Sequence, residues 1–211
     1  CMRCFYLLII LTVNFGYSQT QEGDLSITGS VNNGSVIRDR QLGFDVMAKY
    51  YFKDEFAVGA EMYRVSRDYE TGFMFKADKT NLSITHISIP LYFNVINEDL
   101  YGMTAAISNG VLIANLKNRG SNSFTFVPNP EVPDQVAEGT LPKKLGTDVY
   151  YAFTFSIEGW IKFARFGRDS GMYLTPRAGY QYAFGDGTFT GMRDLTDFIV
   201  TLGITYKFNI R

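Results

Sequence analysis

The sequence predicts an all-β fold: an eight-stranded antiparallel up-and-down transmembrane β-barrel. Three observations predict it. The last strand, Asp197 to Asn209, reads DFIVTLGITYKFN and alternates with period two. Phe198, Val200, Leu202, Ile204, Tyr206 and Phe208 share one face, and the other is polar or small except for Ile199. This strand is longer than the usual ~5–6 residues and meets the ~9–11 that a tilted strand needs to cross a bilayer. Several further segments share the pattern, for eight strands in all, the first of them faint. The connections between them alternate short and long, as expected of short periplasmic turns and longer outer loops.

The elements follow in order. Residues 1–18 read as a signal peptide. Arg3 supplies the positive start, Phe5 to Val13 the apolar run, and Gly16-Tyr17-Ser18 the small residues before cleavage at Gln19. Both cysteines, Cys1 and Cys4, fall in this segment. Cys4 precedes the apolar run, which argues against lipidation. No disulfide or thiol chemistry is expected of residues 19–211, the barrel domain.

Strand one is expected over Asp24 to Asn32, strand two over Arg40 to Phe52, and strand three over Glu55 to Arg67. In strand two Leu42, Phe44, Val46, Ala48, Tyr50 and Phe52 face outward. In strand three Phe56, Val58, Ala60 and Met62 do so, opposite Ala57, Gly59, Glu61 and Tyr63. Strand four, Asn81 to Val95, turns Ile87, Ile89, Leu91, Phe93 and Val95 out, and His86, Ser88, Pro90, Tyr92 and Asn94 in. Strand five runs from Leu100 to near Ala114. Strand six, Val149 to Phe163, turns Tyr151, Phe153, Phe155, Ile157, Ile161 and Phe163 out. Strand seven covers Met172 to Phe184.

Short turns are expected at Lys53-Asp54, Asn97-Glu98-Asp99 and Arg165 to Gly171. Longer loops are expected at Asn33 to Asp39, Asp68 to Thr80, Asn115 to Asp148 and Gly185 to Asp194. Asn115–Asp148 holds four of the six prolines and is the candidate contact surface for other envelope proteins. Pro90 and Pro176 fall inside strands, where a missing N–H interrupts the ladder, so either a bulge is expected at each or the strands have other limits there.

Composition bounds the function. With 20 basic and 21 acidic residues, neither a nucleic-acid partner nor a polybasic membrane patch is implied. Aromatics make up 16%, with 18 Phe, 14 Tyr and one Trp. Tyr50, Tyr51, Phe52, Phe56, Tyr92, Phe93 and Tyr101 are read as a lower interfacial girdle. Tyr150, Tyr151, Tyr182 and Phe184 are read as an upper one. Asp45, Lys49, Glu61, Glu158, Lys162, Arg177 and Lys207 fall on the polar face. In an eight-stranded barrel they would fill the lumen as an ion-pair network, because wide aqueous pores need about 16–18 strands. Which face points inward decides between a membrane barrel and a secreted soluble carrier.

Little in the chain carries chemistry. His86 is the only histidine and shares a strand face with Ser88, so a lipid-modifying hydrolase is the enzymatic alternative. An isolated His-Ser pair is a common chance occurrence and fits a polar lumen position as well. Asp186-Gly187 with Asp194 and Asp197 lacks calcium-loop spacing. No catalytic, cofactor or metal residues are assigned, and no cofactor is expected.

At Ile87–Val95 (ISIPLYFNV) the chain resembles the PorT-type outer-membrane β-barrel family of Bacteroidetes. Tyr101-Gly102, Pro176-Arg177-Ala178-Gly179-Tyr180 and the Gly203…Tyr206-Lys207-Phe208 ending are similar to that family too. The fifth strand departs from the family's glycine pattern, and the chain continues past Phe208. The resemblance implies an eight-stranded barrel in the outer membrane, in contact with its lipid, without an enzymatic site. It also implies a structural or interaction role through outer loops, with one branch tied to secretion and gliding.

Overall fold

The computed structural model describes residues 22–36, 39–70, 79–98, 100–120, 123–126, 137–140, 142–166 and 170–210. The signal segment and both cysteines lie outside the described residues. Eight strands close into a barrel: β1 (Asp24–Val36), β2 (Asp39–Lys53), β3 (Phe56–Tyr69), β4 (Thr80–Asn97), β5 (Tyr101–Asn118), β8 (Lys144–Arg165), β9 (Ser170–Phe184) and β10 (Asp197–Asn209). Every neighbouring pair is antiparallel, and β1 meets β10 from Asp24↔Asn209 to Asn33↔Val200. Between β5 and β8 a separate hairpin pairs β6 (Ser123–Phe126) with β7 (Ala137–Thr140). A single helical turn, α1 (Met192–Leu195), precedes β10. No described helix is long and apolar enough to cross a membrane, which leaves strand crossing untouched.

The alternation maps onto the wall as expected. In β10 the outward side chains from Phe198 to Tyr206 are exposed, Phe208 is half-buried, and Ile199, Thr201, Thr205 and Lys207 are buried. Exposed Val, Ile, Leu and Phe side chains continue around the outer face through β2, β4, β8 and β9. An apolar outer band around a polar interior suits a bilayer and not water. The polar face therefore points inward, opposite to a soluble carrier.

Four expectations are corrected. The loop over Asn33 to Asp39 is absent as such, because β1 and β2 stay paired up to Val36↔Asp39. The long connection is also shorter than Asn115 to Asp148, because β5 and β8 pair up to Lys117↔Lys144. Polar outer residues on these extensions had hidden them from a membrane-strand pattern.

The prolines make no bulges. The β3–β4 register holds on either side of Pro90, from Val58↔Leu91 to Glu61↔Ser88, and skips the pairs between. The β8–β9 register likewise holds across Pro176, from Glu158↔Arg177 to Ile161↔Leu174. Opposite each ring stands a glycine: a Cβ on Gly59 would lie 3.3 Å from Pro90, and one on Gly159 3.6 Å from Pro176. A residue without a side chain leaves room for the ring, so the ladder loses bonds without changing register. The register shifts that do occur lie near the strand ends, at Tyr51/Lys53, Asn94/Ile96, Leu116/Lys117 and Lys162/Ala164.

The fourth correction concerns the girdles. Tyr51, Tyr92 and Tyr150 are buried inside the barrel and do not face lipid. The exposed aromatics include Tyr50, Phe52, Phe56, Phe93, Tyr101, Phe163 and Tyr206 towards the short-turn end. Tyr151, Tyr180, Tyr182, Phe184 and Phe198 lie towards the other.

Candidate functional site

The interior is layered along the barrel axis. At the short-turn end Lys207 lies 3.6 Å from Asp24, and its ammonium sits 5.0 Å from the Tyr173 ring centre and 5.7 Å from that of Trp160. A cavity of about 20 Å³ opens here among Ser26, Tyr51, Trp160, Tyr173 and Thr205. Deeper, Lys49 donates to Glu158 across the lumen, and Arg177 bridges Asp45 at 2.6 Å and Glu61. These side chains come from β2, β3, β8 and β9, so the pairs tie opposite walls together. All six charged residues named for the lumen besides Lys162 are buried; Lys162 is half-buried, with its ammonium 5.9 Å from the Tyr173 ring centre. Asp24 belongs to the same set and was missed, because strand one is faint in the sequence.

His86 sits above this cluster. Its ring packs against Tyr63 at 5.0 Å between centres. It borders a cavity of about 10 Å³ with Glu61, Thr154, Ser156 and Arg177, room for about one water. Among the described residues neither ring nitrogen nor the Ser88 hydroxyl has a hydrogen-bond partner. A nucleophile–base pair would need a hydrogen bond between them, and it is not formed. Tyr63 and Ile199 line this cavity and also belong to the apolar cluster above it, so His86 is walled off on that side.

That cluster closes the other end. Val36, Val65, Leu82, Ile84, Leu112, Ala114 and Leu116 turn inward from the strand extensions, and Phe189 and Leu195 enter from the β9–β10 connection. The connection is clasped in place. Asp148 accepts from the N–H groups of Phe189 (2.9 Å) and Thr190 (3.2 Å) and from the Thr190 hydroxyl (3.2 Å). Tyr150 bonds the Thr190 hydroxyl at 2.8 Å and donates to its carbonyl. Gln181 donates to the Leu195 carbonyl at 2.8 Å and accepts from Tyr63 at 2.7 Å. Burial works against the Asp148 charge, but donors on Phe189, Thr188 and Thr190 outweigh it and hold this carboxyl below its ordinary range.

Of the loop carboxylates, Asp194 accepts from the Gly191 N–H, and Asp197 accepts from the Phe198 N–H and lies 3.7 Å from Arg40. Among the described residues no group of three or more His, Cys, Asp or Glu side chains is placed to hold a metal.

No protein-family model matches the chain, and no curated protein matches it. Solved structures do. Neisserial surface protein A (NspA) is similar at 8% identity, covering 89% of this chain and 96% of its own, with a TM-score of 0.50. Ail, the attachment invasion locus protein of Yersinia pestis, is similar at 12% identity, covering 89% and 100%, with a TM-score of 0.49. The outer membrane protease OmpT of Escherichia coli aligns at 9% identity over 92% and 99%, with a TM-score of 0.40. Identities this low speak to fold alone. The fold is that of a transmembrane up-and-down β-barrel, and a fold does not fix an activity.

Proposed function

We propose that this chain is a non-enzymatic outer-membrane barrel of PorT type that works through its outer surface and conducts nothing through its lumen. The observation that carries the reading is the double closure of the interior. An ion-paired layer lies at mid-depth and an apolar plug above it, inside a wall whose outer face is apolar. A conducting pore needs a continuous aqueous path, and a hydrolase needs a route from lipid to its base. Among the described residues His86 is buried between the ion-paired layer and the plug. What remains accessible is the outer rim, with the β5–β8 connection and its β6–β7 hairpin as the largest feature. A link to secretion or gliding machinery belongs to this proposal through the family resemblance.

The test is fractionation of cells expressing the full chain, followed by gels of boiled and unboiled membrane fractions. An outer-membrane band that runs faster unboiled than boiled is the expected result. A soluble protein without a mobility shift overturns the reading. Deletion of the gene in the source bacterium, scored for secretion and surface motility, tests the link to that machinery; unchanged phenotypes in both would remove it.

A further inference from the structure

The rim opposite the short turns is electrically lopsided. The wall continues past the apolar band on β3, β4, β5 and β8, and its outer face changes character there. The row Met62–Ile87–Val111–Tyr151 is apolar, Arg64–Thr85–Ile113–Val149 is mixed, and Ser66–Ser83–Asn115–Thr147 is polar throughout, with Ser66 and Thr147 exposed and Ser83 buried. Above it, backbone bonds gather basic residues into one tip. Lys117 pairs with Lys144 across β5 and β8. The Lys143 carbonyl accepts from Asn118, and the Lys79 carbonyl accepts from Arg119. Lys79, Lys117, Arg119, Lys143 and Lys144 are all exposed. β4 and β5 contain no Asp or Glu, whereas the end of β3 brings the exposed Asp68 and, just beyond it, Glu70, and β7 contains Glu138. Asp68 stands in the row Asp68–Asn81–Lys117–Lys144 and accepts from the Asn81 amide at 2.7 Å, so the five basic residues outnumber these carboxylates.

Elsewhere the sign differs. The β9–β10 side of the same rim carries Asp186, Asp194 and Asp197 against Arg193 and Arg40, the latter 3.7 Å from Asp197. The short-turn end carries Glu22, Asp54, Glu55 and Glu98 against Lys53 and Arg165. A concentration of like charge costs stability unless anions neutralise it. Height fits one anion source. From Ile113 to Lys117 a strand rises about 13 Å, or about 10 Å along the membrane normal at a ~40° tilt. Long basic side chains bend back towards the interface from there. They reach the head-group layer just outside the hydrocarbon.

We propose that this tip is a docking surface for the phosphorylated head groups of outer-leaflet lipid. Ammonium and guanidinium groups take phosphate oxygens while the acyl chains lie against the apolar band below. The proposal rests on the outer-membrane reading.

The experiment uses the full chain in phosphatidylcholine nanodiscs, offered lipid A or the same lipid with its phosphates removed. Retained lipid is counted by native mass spectrometry. Lipid A is expected to be retained in preference to its dephosphorylated form. Lys117→Glu/Lys144→Glu is expected to weaken that retention at least about tenfold. Lys53→Glu/Arg165→Glu at the opposite rim should leave it unchanged. Equal retention of both lipids, or equal loss with the control pair, overturns the docking surface. Failure to show a heat-modifiable band in the nanodisc would instead sink the membrane-barrel reading; a normal band without phosphate selectivity sinks this proposal alone.

Discussion

Lys49 and Glu158 face each other from β2 and β8 with side chains 2% and 3% exposed. A buried pair of this kind contributes little over an apolar pair of the same shape, yet losing one partner strands the other. Lys49→Met should therefore cost about 3–5 kcal/mol, measured from the urea midpoint in lipid vesicles. Lys49→Met/Glu158→Leu should recover most of that loss. If the double variant is as unstable as the single one, the cost comes from packing and not from an abandoned charge. The residues of this layer were legible in the sequence because a charge on the polar face of a long alternating strand has only the lumen to enter. Which charge meets which was not. Pairing Arg177 with Asp45 and Glu61 depends on the shear of the barrel, and alternation along single strands carries no information about that.

At the scale of elements, the membrane strands were readable and their extensions were not. Inside the bilayer one face must be apolar and the other polar, so contrast is strong. Beyond it Leu82, Ile84, Leu112 and Leu116 turn an apolar face inward while Ser66, Asn115 and Thr147 turn a polar one outward. The inward apolar set thus inverts the membrane pattern, and alternation alone does not reveal the plug. The β9–β10 connection was expected as a plain hairpin loop, and Asp148 makes it a clasp instead. Its depressed pKa means the folded form holds the proton less tightly than the unfolded chain. The stabilisation is complete above the ordinary carboxylate range and is lost as pH falls through the lower folded value. Amide exchange at Phe189 and Thr190, corrected for the intrinsic pH dependence, should be slow at neutral pH and accelerate in strong acid. Asp148→Asn should show the faster exchange already at neutral pH. Unchanged protection in that variant would remove Asp148 from the clasp. Gly187 gives a second handle. A Cβ there would lie 1.5 Å from the Tyr150 hydroxyl, so Gly187→Ala must displace that ring or the connection, at about 1–3 kcal/mol. The same exchange measurement reads it, and Gly29→Ala, where nothing lies within 4 Å, is the matched control.

For the whole molecule, two unlike barriers in series govern passage through the lumen. The mid-depth layer is polar and blocks by filling space with paired charges. The plug is apolar and blocks by excluding water. Removing either leaves the other intact, so conductance should respond only to the combination. The wild-type chain in a planar bilayer is expected to give no discrete current steps. Lys49→Ser/Glu158→Ser/Arg177→Ser, with the cross-lumen pairs cut, should remain silent because Phe189, Leu195 and their neighbours still exclude water. Replacing residues 185–196 by a short Asn-Gly turn should also remain silent, since the ion pairs still span the lumen. Only the combined variant should conduct, with small steps, because an eight-stranded interior is just wide enough for its own side chains. Current from the wild-type chain would contradict a closed lumen. Current from one of the partial variants would show which barrier closes the barrel alone. A silent combined variant that keeps its heat-modifiable band would mean that the remaining lumen side chains suffice, and that both layers serve stability and not closure.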